Sequence, residues 1–216
     1  MSSDLFRWGI LSTAKIGRQQ VLPALARSKS GCIQAIASRD AARAKAQADR
    51  FGAQQAYGNY NDLLADPDVD GVYIPLPTSQ HTDWTLKAAE AGKHVLCEKP
   101  IGMVATDIDR LIAARDDTGL VISEAFMVWY HPQWHKVRDL ISAGAIGRLR
   151  HVSGAFSYHL MDPENMRNQP ELGGGALPDI GVYPVVSTLM TTGARMSRVT
   201  AQVEYSADFG TDIFAR

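Results

Sequence analysis

The sequence lacks the features that mark nucleic-acid-binding, membrane-spanning and disulfide-rich proteins. Lysine and arginine number 22 against 23 aspartate and glutamate residues, so the net charge of -1 provides no basic surface for nucleic acid or an anionic membrane. No apolar run has the length of a transmembrane helix, and residues 1–7 contain no signal-peptide core. The two cysteines, Cys32 and Cys97, lie in apolar runs, which favours reduced core residues over a disulfide. We therefore expect a cytoplasmic protein with neither nucleic acid nor a membrane as its partner.

Cysteine and histidine clusters at metal-ligand spacing are also missing, so we expect no metal site. The remaining composition, 45% hydrophobic and 21% charged residues, is ordinary for a globular protein, and 216 residues suffice for one domain and part of a second. In the first half, short apolar runs alternate with helical stretches, which is the pattern of a doubly wound parallel sheet. We predict strands at 7–11, 33–37, 56–57, 71–74, 95–97 and 120–123, with helices over 41–51, 61–64, 82–91 and 106–118.

One of these strands ends in a charged pair and a proline. The apolar run 95–97 leads directly into Glu98, Lys99 and Pro100. Ligands of parallel α/β sheets bind beyond the carboxyl ends of the strands, which places Lys99 where chemistry is normally done. Taken alone, a surface Lys–Glu pair at a strand end explains these residues slightly better.

The turn after the first strand is short of glycine. In the dinucleotide fingerprint G-x-G-x-x-G, the three glycine positions fall on Ser12, Ala14 and Gly17, so only the third glycine is present. Small side chains still let a pyrophosphate approach the backbone, and the hydroxyls of Ser12 and Thr13 can donate to an anion. An ordinary strand–helix turn remains the alternative.

The second strand ends in Ser38, Arg39 and Asp40, about twenty residues after this turn, where a dinucleotide-binding unit contacts the adenosine ribose. A carboxylate directly at the strand end would favour NAD. A hydroxyl and a guanidinium instead suit a 2′-phosphate, which arginine binds through two parallel hydrogen bonds. We therefore predict NADP rather than NAD. A solvated Arg39 beside Asp40, acting as the N-cap of the next helix, is compatible with the same residues.

The fourth strand is followed by a loop that contains Pro75 and Pro77 and ends at His81. Two prolines stiffen this loop over the expected cofactor site. A lone histidine there is commonly a cap or a packing residue, so we assign His81 a supporting role.

The pattern changes after residue 128, and we divide the chain into domains 1–128 and 129–216. A helix over 131–143 precedes a period-two alternation over 148–158, which predicts a long antiparallel strand with one open face. Two further strands are predicted at 199–204 and 212–215.

Three consecutive glycines, 173–175, allow a side-chain-free approach to something bulky. Asp179 and Tyr183 follow at i and i+4 on a predicted helix, so they share a face. From the residues alone, a capping aspartate and a half-buried aromatic ring explain this pair.

With these segments together, the chain resembles the glucose–fructose oxidoreductase/inositol dehydrogenase/MocA family. Glu98-Lys99-Pro100 is the most specific mark, and Trp8–Ala14 with Tyr183 is most similar to the branch of NADP-dependent sugar (xylose) dehydrogenases and dimeric dihydrodiol dehydrogenases. The segments that carry the resemblance are Gly9–Gly17, Pro77–His81, Ala91–Pro100 and Gly173–Tyr183.

The resemblance implies a Rossmann domain followed by an α/β domain with an open, mostly antiparallel sheet, which in this family often mediates dimerisation. It therefore implies a homodimer or a higher homo-oligomer for the full-length protein. It implies hydride transfer between NADP and a hydroxyl of a sugar or a cyclic diol. Lys99 would be the catalytic lysine, Tyr183 the acid/base residue in place of the histidine of many members, and Asp179 the carboxylate that orients the lysine or binds another hydroxyl. A tyrosine has an ordinary pKa of about 10, which a nearby lysine ammonium would bring towards working pH.

The predicted cofactor contacts are Ser12, Thr13, Ala14, Ile16, Ser38, Arg39, Pro77, His81, Glu98 and Lys99. The candidate substrate contacts are Tyr130, Tyr158, His159 and Arg167.

The chain is shorter than members of this family usually are and ends inside the predicted strand 212–215, so we expect an incomplete second domain. Two other functions suit the same scaffold. A non-catalytic dinucleotide-binding regulator has no need of Lys99, Asp179 and Tyr183 together. An NAD-dependent glycosidase is disfavoured by Ser38 and Arg39.

Overall fold

The computed structural model describes residues 5–216, which form two compact units that divide between Ala125 and Phe126. The first unit is built on a six-stranded sheet with the order β3-β2-β1-β4-β5-β6. All five neighbouring pairs are parallel, which confirms the predicted Rossmann sheet. The strands are β1 (Phe6–Leu11), β2 (Gly31–Ala37), β3 (Gln55–Tyr57), β4 (Gly71–Ile74), β5 (His94–Glu98) and β6 (Ile122–Ala125). The strand order reverses between β1 and β4, which is where such sheets bind their ligands.

Helices connect these strands, as the alternating pattern predicted. They are α1 (Leu22–Leu25), α2 (Ala41–Phe51), α3 (Tyr60–Leu64), α4 (His81–Glu90) and α5 (Ala105–Thr118). The ends of α2 show why the sequence indicates them so well. The Asp40 carboxylate accepts the Arg43 amide hydrogen over 3.1 Å, and Gly52 takes the left-handed conformation (φ 72°) that closes the helix. A five-residue π-helical turn, Gly17–Val21, precedes α1.

Both faces of the sheet are buried, because its strands alternate apolar residues between two clusters. Leu11, Val72 and Ile74 pack in one cluster, and Ile10 and Tyr73 pack in the other. All five are fully buried, and each such aliphatic side chain stabilises the fold by about 1.5–3 kcal/mol relative to exposure. The first unit therefore has a core of its own.

The sixth strand begins at Ile122, two residues later than the predicted 120–123. Gly119 ends α5 in the left-handed conformation, and the Leu120 amide hydrogen then bonds to the Thr118 hydroxyl. Pairing with β5 starts only at Val95 and Ile122. The turn that closes the helix thus takes up the residues expected to start the strand.

The second unit contains three helices and one antiparallel strand pair. Its elements are α6 (Met127–Tyr130), α7 (Pro132–Ser142), α8 (Val182–Thr192), β7 (Val203–Tyr205) and β8 (Asp212–Ala215). Short turns at Met166–Asn168 and Pro170–Leu172 and a π-helical turn at Leu177–Gly181 precede α8. Phe126, Val128 and Met190 form its buried core. The division at residues 128 and 129 stays a prediction.

The predicted strand over 148–158 is wrong, since residues 149–162 form neither strand nor helix. An alternating sequence sets which side chains share a face, but a strand also needs a partner for its backbone N–H and C=O groups. Within residues 5–216, the sheets contain no strand beside this segment. The strand expected at 199–204 is shortened for the same reason, because β8 pairs only with Val203–Tyr205.

None of the helices within residues 5–216 combines the length and apolar character needed to cross a bilayer.

Candidate active site

The turn after β1 has the tight geometry expected of a phosphate-binding turn. Ser12, at the first glycine position, adopts a φ of 136°, a conformation that side-chain-bearing residues rarely take. Its hydroxyl accepts the Ala14 amide hydrogen over 3.0 Å, which fixes the turn from inside. The Thr13 carbonyl accepts a hydrogen bond of 2.9 Å from the Arg18 guanidinium. Strain of this kind, of order 1–3 kcal/mol, is typical of functional turns.

This turn forms one wall of an open cleft of about 560 Å³ at the carboxyl ends of β1 and β2. The structure brings together five predicted cofactor contacts here, and adds three residues that sequence reasoning did not assign to the cofactor. The predicted residues are Ser12, Thr13, Ala14, Ser38 and Arg39, and the added ones are Asp40, Arg43 and Tyr60. Ile16 does not line the cleft, and its side chain is exposed.

The end of the cleft near β2 is polar and carries two guanidinium groups. Ser38 is buried, and its hydroxyl accepts the Asp40 amide hydrogen over 3.2 Å. Arg43 lies 3.3 Å from the Asp40 carboxylate, and because both side chains are largely exposed this ion pair contributes little to stability. Two cations against one carboxylate leave this end of the cleft with a net positive charge that suits a phosphate group.

Tyr60 is a buried residue at the start of α3 that reaches the cleft. Its ring meets Trp84 edge-on, with centroids 5.0 Å apart. Burial raises the pKa of Tyr60, and neighbouring Arg39 and Ser12 act in the opposite direction. The neutral hydroxyl is therefore a donor between the two walls of the cleft. In the sequence, Tyr60 could be recognised only as a polar aromatic residue that follows the third strand.

The segment 98–101, which contains Lys99 and which we call the Lys99 segment, is bonded to neighbouring elements on both sides of the lysine. The Tyr73 hydroxyl donates to Glu98 Oε1 over 2.6 Å, and the Ile101 amide donates to Glu124 Oε1 over 2.9 Å. Burial, followed by the charge of Glu98, raises the pKa of Tyr73, so this phenol stays a donor. The peptide bond between Lys99 and Pro100 is cis.

His81 does not line the cleft and is only 1% exposed. Its Nδ1 lies 2.7 Å from the Pro100 carbonyl oxygen and its Nε2 lies 2.8 Å from the Leu76 carbonyl oxygen. Pro77 precedes a short turn, Thr78–Gln80, that leads into α4. Cofactor contacts for Pro77, His81, Glu98 and Lys99 stay predictions.

In the second unit, Asp179 is the centre of a polar cluster. Its Oδ2 accepts hydrogen bonds from Arg167 Nε over 2.8 Å and from the Tyr158 hydroxyl over 2.7 Å. Burial lowers the pKa of Arg167, but the hydrogen bond to Asp179 and the charge of that carboxylate raise it by more than burial lowers it. The pKa therefore lies above its ordinary value, and the guanidinium remains charged. Burial and then Asp179 raise the pKa of Tyr158. Two of the predicted substrate contacts are thus bonded to the predicted catalytic carboxylate.

Asp179 and Tyr183 lie on one continuous helical segment, with Asp179 in the π-helical turn and Tyr183 in the first turn of α8. The Tyr183 ring packs against Phe126 at 5.1 Å and Phe156 at 5.5 Å between centroids. Tyr130 and His159 are exposed.

The three glycines, 173–175, allow this cluster to form, because other segments of the same chain pack closely against two of them. A Cβ on Gly174 would lie 2.5 Å from the Arg167 carbonyl oxygen. Gly175 has a φ of 131°, and its Cβ would overlap the Asp212 carboxylate. Only glycine permits this backbone contact, which brings Arg167 within reach of Asp179.

Within residues 5–216, no group of three or more His, Cys, Asp or Glu side chains is arranged to hold a metal ion.

Comparison with known proteins assigns both units to a protein family. The family described as "Oxidoreductase family, NAD-binding Rossmann fold" matches residues 6–126, and the "GFO/IDH/MocA C-terminal domain" matches residues 134–215. The chain belongs to the GFO/IDH/MocA oxidoreductase family. The resemblance that the sequence motifs predicted is confirmed.

Relatives within this family include the D-xylose 1-dehydrogenase (NADP(+)) 2 of Haloferax volcanii, 41% identical over 95% of this chain and 62% of that protein. The trans-1,2-dihydrobenzene-1,2-diol dehydrogenase of Xenopus tropicalis is 36% identical over 91% of this chain and 60% of that protein. Both belong to the branch that the sequence predicted. The chain spans about three fifths of the length of the curated relatives it matches.

Among solved structures, KijD10, a 3-ketoreductase from Actinomadura kijaniata in complex with NADP and TDP-benzene, superimposes with a TM-score of 0.92. It is 37% identical, and the match covers 98% of this chain and 65% of that chain. KijD10 has also been crystallised with a tyrosine-to-phenylalanine substitution and with a lysine-to-alanine substitution.

Proposed function

We propose that this protein is an NADP-dependent oxidoreductase that transfers a hydride between NADP and a hydroxyl-bearing carbon of a sugar or a cyclic diol. The observation that carries the proposal is the cleft at the carboxyl ends of β1 and β2, where the first polar residues after β2 are Ser38 and Arg39 rather than a carboxylate. The names of the xylose dehydrogenase and of the ketoreductase complex support both the cofactor and the class of substrate.

The residues of the cleft fit this cofactor. The strained turn at Ser12 would hold the pyrophosphate, because it offers backbone N–H groups and hydroxyls without bulky side chains. Arg39 and Arg43, with the Ser38 hydroxyl, would hold the 2′-phosphate that distinguishes NADP from NAD. When bound, NADP supplies the hydride acceptor.

Oxidation of a hydroxyl also releases a proton, and we propose Tyr183 as the group that receives it. A phenol is a weak base at neutral pH, so the reaction needs a cation that stabilises the phenolate, and Lys99 is the residue we assign to this role. In the reverse direction, the phenol of Tyr183 would donate its proton to the carbonyl oxygen. The tyrosine and lysine variants of the ketoreductase support the choice of these two residue types.

Asp179 would bind a second hydroxyl of the substrate. Its carboxylate is oriented by Arg167 and Tyr158, and its side chain is only 15% exposed. A carboxylate held in this way accepts a sugar hydroxyl without first having to reorganise. This assignment predicts that polyhydroxylated substrates are preferred over simple alcohols. The dimer and the cytoplasmic location stay predictions.

The test measures turnover with NADP and a panel of sugars and cyclic diols, and the readout is the absorbance of the NADPH that forms. Lys99→Met and Tyr183→Phe should each lower turnover by about 10²–10⁴-fold, the usual contribution of a general acid–base group. Lys29→Met and Tyr205→Phe are matched controls at exposed positions and should leave turnover unchanged. Unchanged turnover in the Lys99 and Tyr183 variants would contradict the mechanism, and NADPH binding without turnover on any substrate would favour the regulatory alternative.

A further inference from the structure

Side chains from three other elements bond to the Lys99 segment. Tyr73 of β4 bonds to the Glu98 side chain, Glu124 of β6 accepts the Ile101 amide, and His81 at the start of α4 bonds to the Pro100 carbonyl. His81 contacts the carbonyl of Pro100, the residue that lies between Lys99 and Ile101. It is therefore the contact that reaches the backbone next to the lysine.

His81 joins two strand ends through one ring. Nδ1 faces the carbonyl of Pro100, after β5, and Nε2 faces the carbonyl of Leu76, after β4, at 2.7 and 2.8 Å. Carbonyl oxygens only accept hydrogen bonds, so each ring nitrogen that carries a proton donates to the carbonyl it faces, and a neutral ring donates to one of the two. The imidazole thus lies between the two loops, within hydrogen-bonding distance of both.

The groups around the His81 ring change its pKa in opposite directions. Burial lowers the pKa of His81, while the two carbonyl groups and the carboxylates of Glu98 and Glu124 act in the opposite direction. The ring is fully enclosed and does not line the cleft of Ser12 and Arg39. It therefore has no access to a bound nucleotide or substrate through that cleft.

We propose that His81 is a positioning residue, whose buried ring holds the Lys99 segment in place from its position between the Pro100 and Leu76 carbonyls. This inference rests on the proposed role of Lys99 in hydride transfer. It gives a specific form to the supporting role that the sequence assigned to His81, whose cofactor contact stays a prediction. Its consequence is that loss of the ring should release the lysine and leave the nucleotide cleft intact.

The chain contains a matched control at the opposite end of the same strand. Lys93 is 8% exposed, and its ammonium donates to the carbonyls of Asp66 and Val69, both over 2.7 Å. Like His81, it is a buried polar side chain that links two backbone carbonyls beside β5. Unlike His81, it makes its contacts at the amino-terminal end of β5, whereas Lys99 follows the carboxyl end. Removal of either should cost stability, but only removal of His81 should loosen the Lys99 segment.

The experiment compares His81→Leu, His81→Gln and Lys93→Met by amide hydrogen exchange and by turnover. We expect exchange of the Ile101 amide, relative to the Val72 amide of β4, to rise at least about tenfold in His81→Leu and to stay unchanged in Lys93→Met. Melting temperatures should fall in both. His81→Gln, which can still donate to one carbonyl, should restore part of the protection and serves as the test if His81→Leu does not fold.

In the kinetic comparison, kcat should fall about tenfold or more in His81→Leu while KM for the substrate and Kd for NADPH stay within about twofold. Wild-type protection of Ile101 in both His81 variants, or equal loss in Lys93→Met, would overturn the inference. Turnover that survives Lys99→Met would instead refute the proposed function. Loss of turnover in Lys99→Met with full turnover in His81→Leu would refute the inference alone.

Discussion

Replacing Arg39 with alanine should weaken NADPH binding while leaving NADH binding nearly unchanged. Arg39 follows the buried Ser38 at the carboxyl end of β2 and lines the cleft together with Arg43 and Asp40. A guanidinium there would meet the 2′-phosphate of NADPH, a group that NADH lacks. The substitution removes a side chain that is exposed in the structure, so the fold should be preserved.

The size of the effect follows from the exposure of Arg39. Hydrogen bonds to a charged group contribute about 1.5–3 kcal/mol, and solvent screening of an exposed side chain favours the lower part of that range. Arg43 remains in the variant and retains part of the attraction for the phosphate. Since about 1.4 kcal/mol corresponds to a tenfold change in Kd, NADPH affinity should fall about 10- to 30-fold.

The assay is a fluorescence titration with each nucleotide at one ionic strength, because salt screens exposed charges. Arg50→Ala is the control, since Arg50 lies in the last turn of α2 against the Phe51 ring and outside the cleft. Equal weakening of NADPH and NADH in Arg39→Ala would refute the reasoning. So would NADPH affinity that does not change.

Two further predictions concern stability. Gly174→Ala should destabilise the second unit by about 1–3 kcal/mol, because the new Cβ would press on the Arg167 carbonyl, and thermal unfolding should show more loss than in Gly58→Ala, whose Cβ would only meet Ala41 at 3.3 Å. The bond to Arg7 holds the pKa of Asp70 below its ordinary 3.8, so this pair stabilises the folded state above pH 3.8 and the contribution is lost as the pH falls below it. Asp70→Asn should flatten that part of the stability profile by less than about 1 kcal/mol, and an unchanged slope in acid unfolding curves would contradict the assignment.

The sequence was sufficient to predict several helix ends because these depend on residues close together in the chain. It was sufficient to predict the parallel sheet because short apolar runs alternate with helical stretches. Asp40 and Gly52 start and end α2 by local hydrogen bonding and by backbone conformation. The alternating segment 148–158 failed as a predictor because a strand also needs a neighbour, which sequence periodicity does not supply.

The composition of the site was harder to predict because distant residues meet there. Tyr60 reaches the cleft from the start of α3, just after β3. It is far along the chain from the turn at Ser12, which it faces. The partner of His81, the Pro100 carbonyl, is 19 residues away and has no side-chain signal in the sequence. The missing first glycine was less informative than it looked, because Ser12 adopts the unusual φ itself.

The measurement that tests the central claim most directly is the ratio of the dissociation constants for NADH and NADPH, obtained by fluorescence titration of the unaltered protein. The proposed function predicts that NADPH binds at least about tenfold more tightly, since Ser38, Arg39 and Arg43 line the cleft in which we propose that the 2′-phosphate binds. Equal affinities, or tighter binding of NADH, would contradict the proposed NADP site.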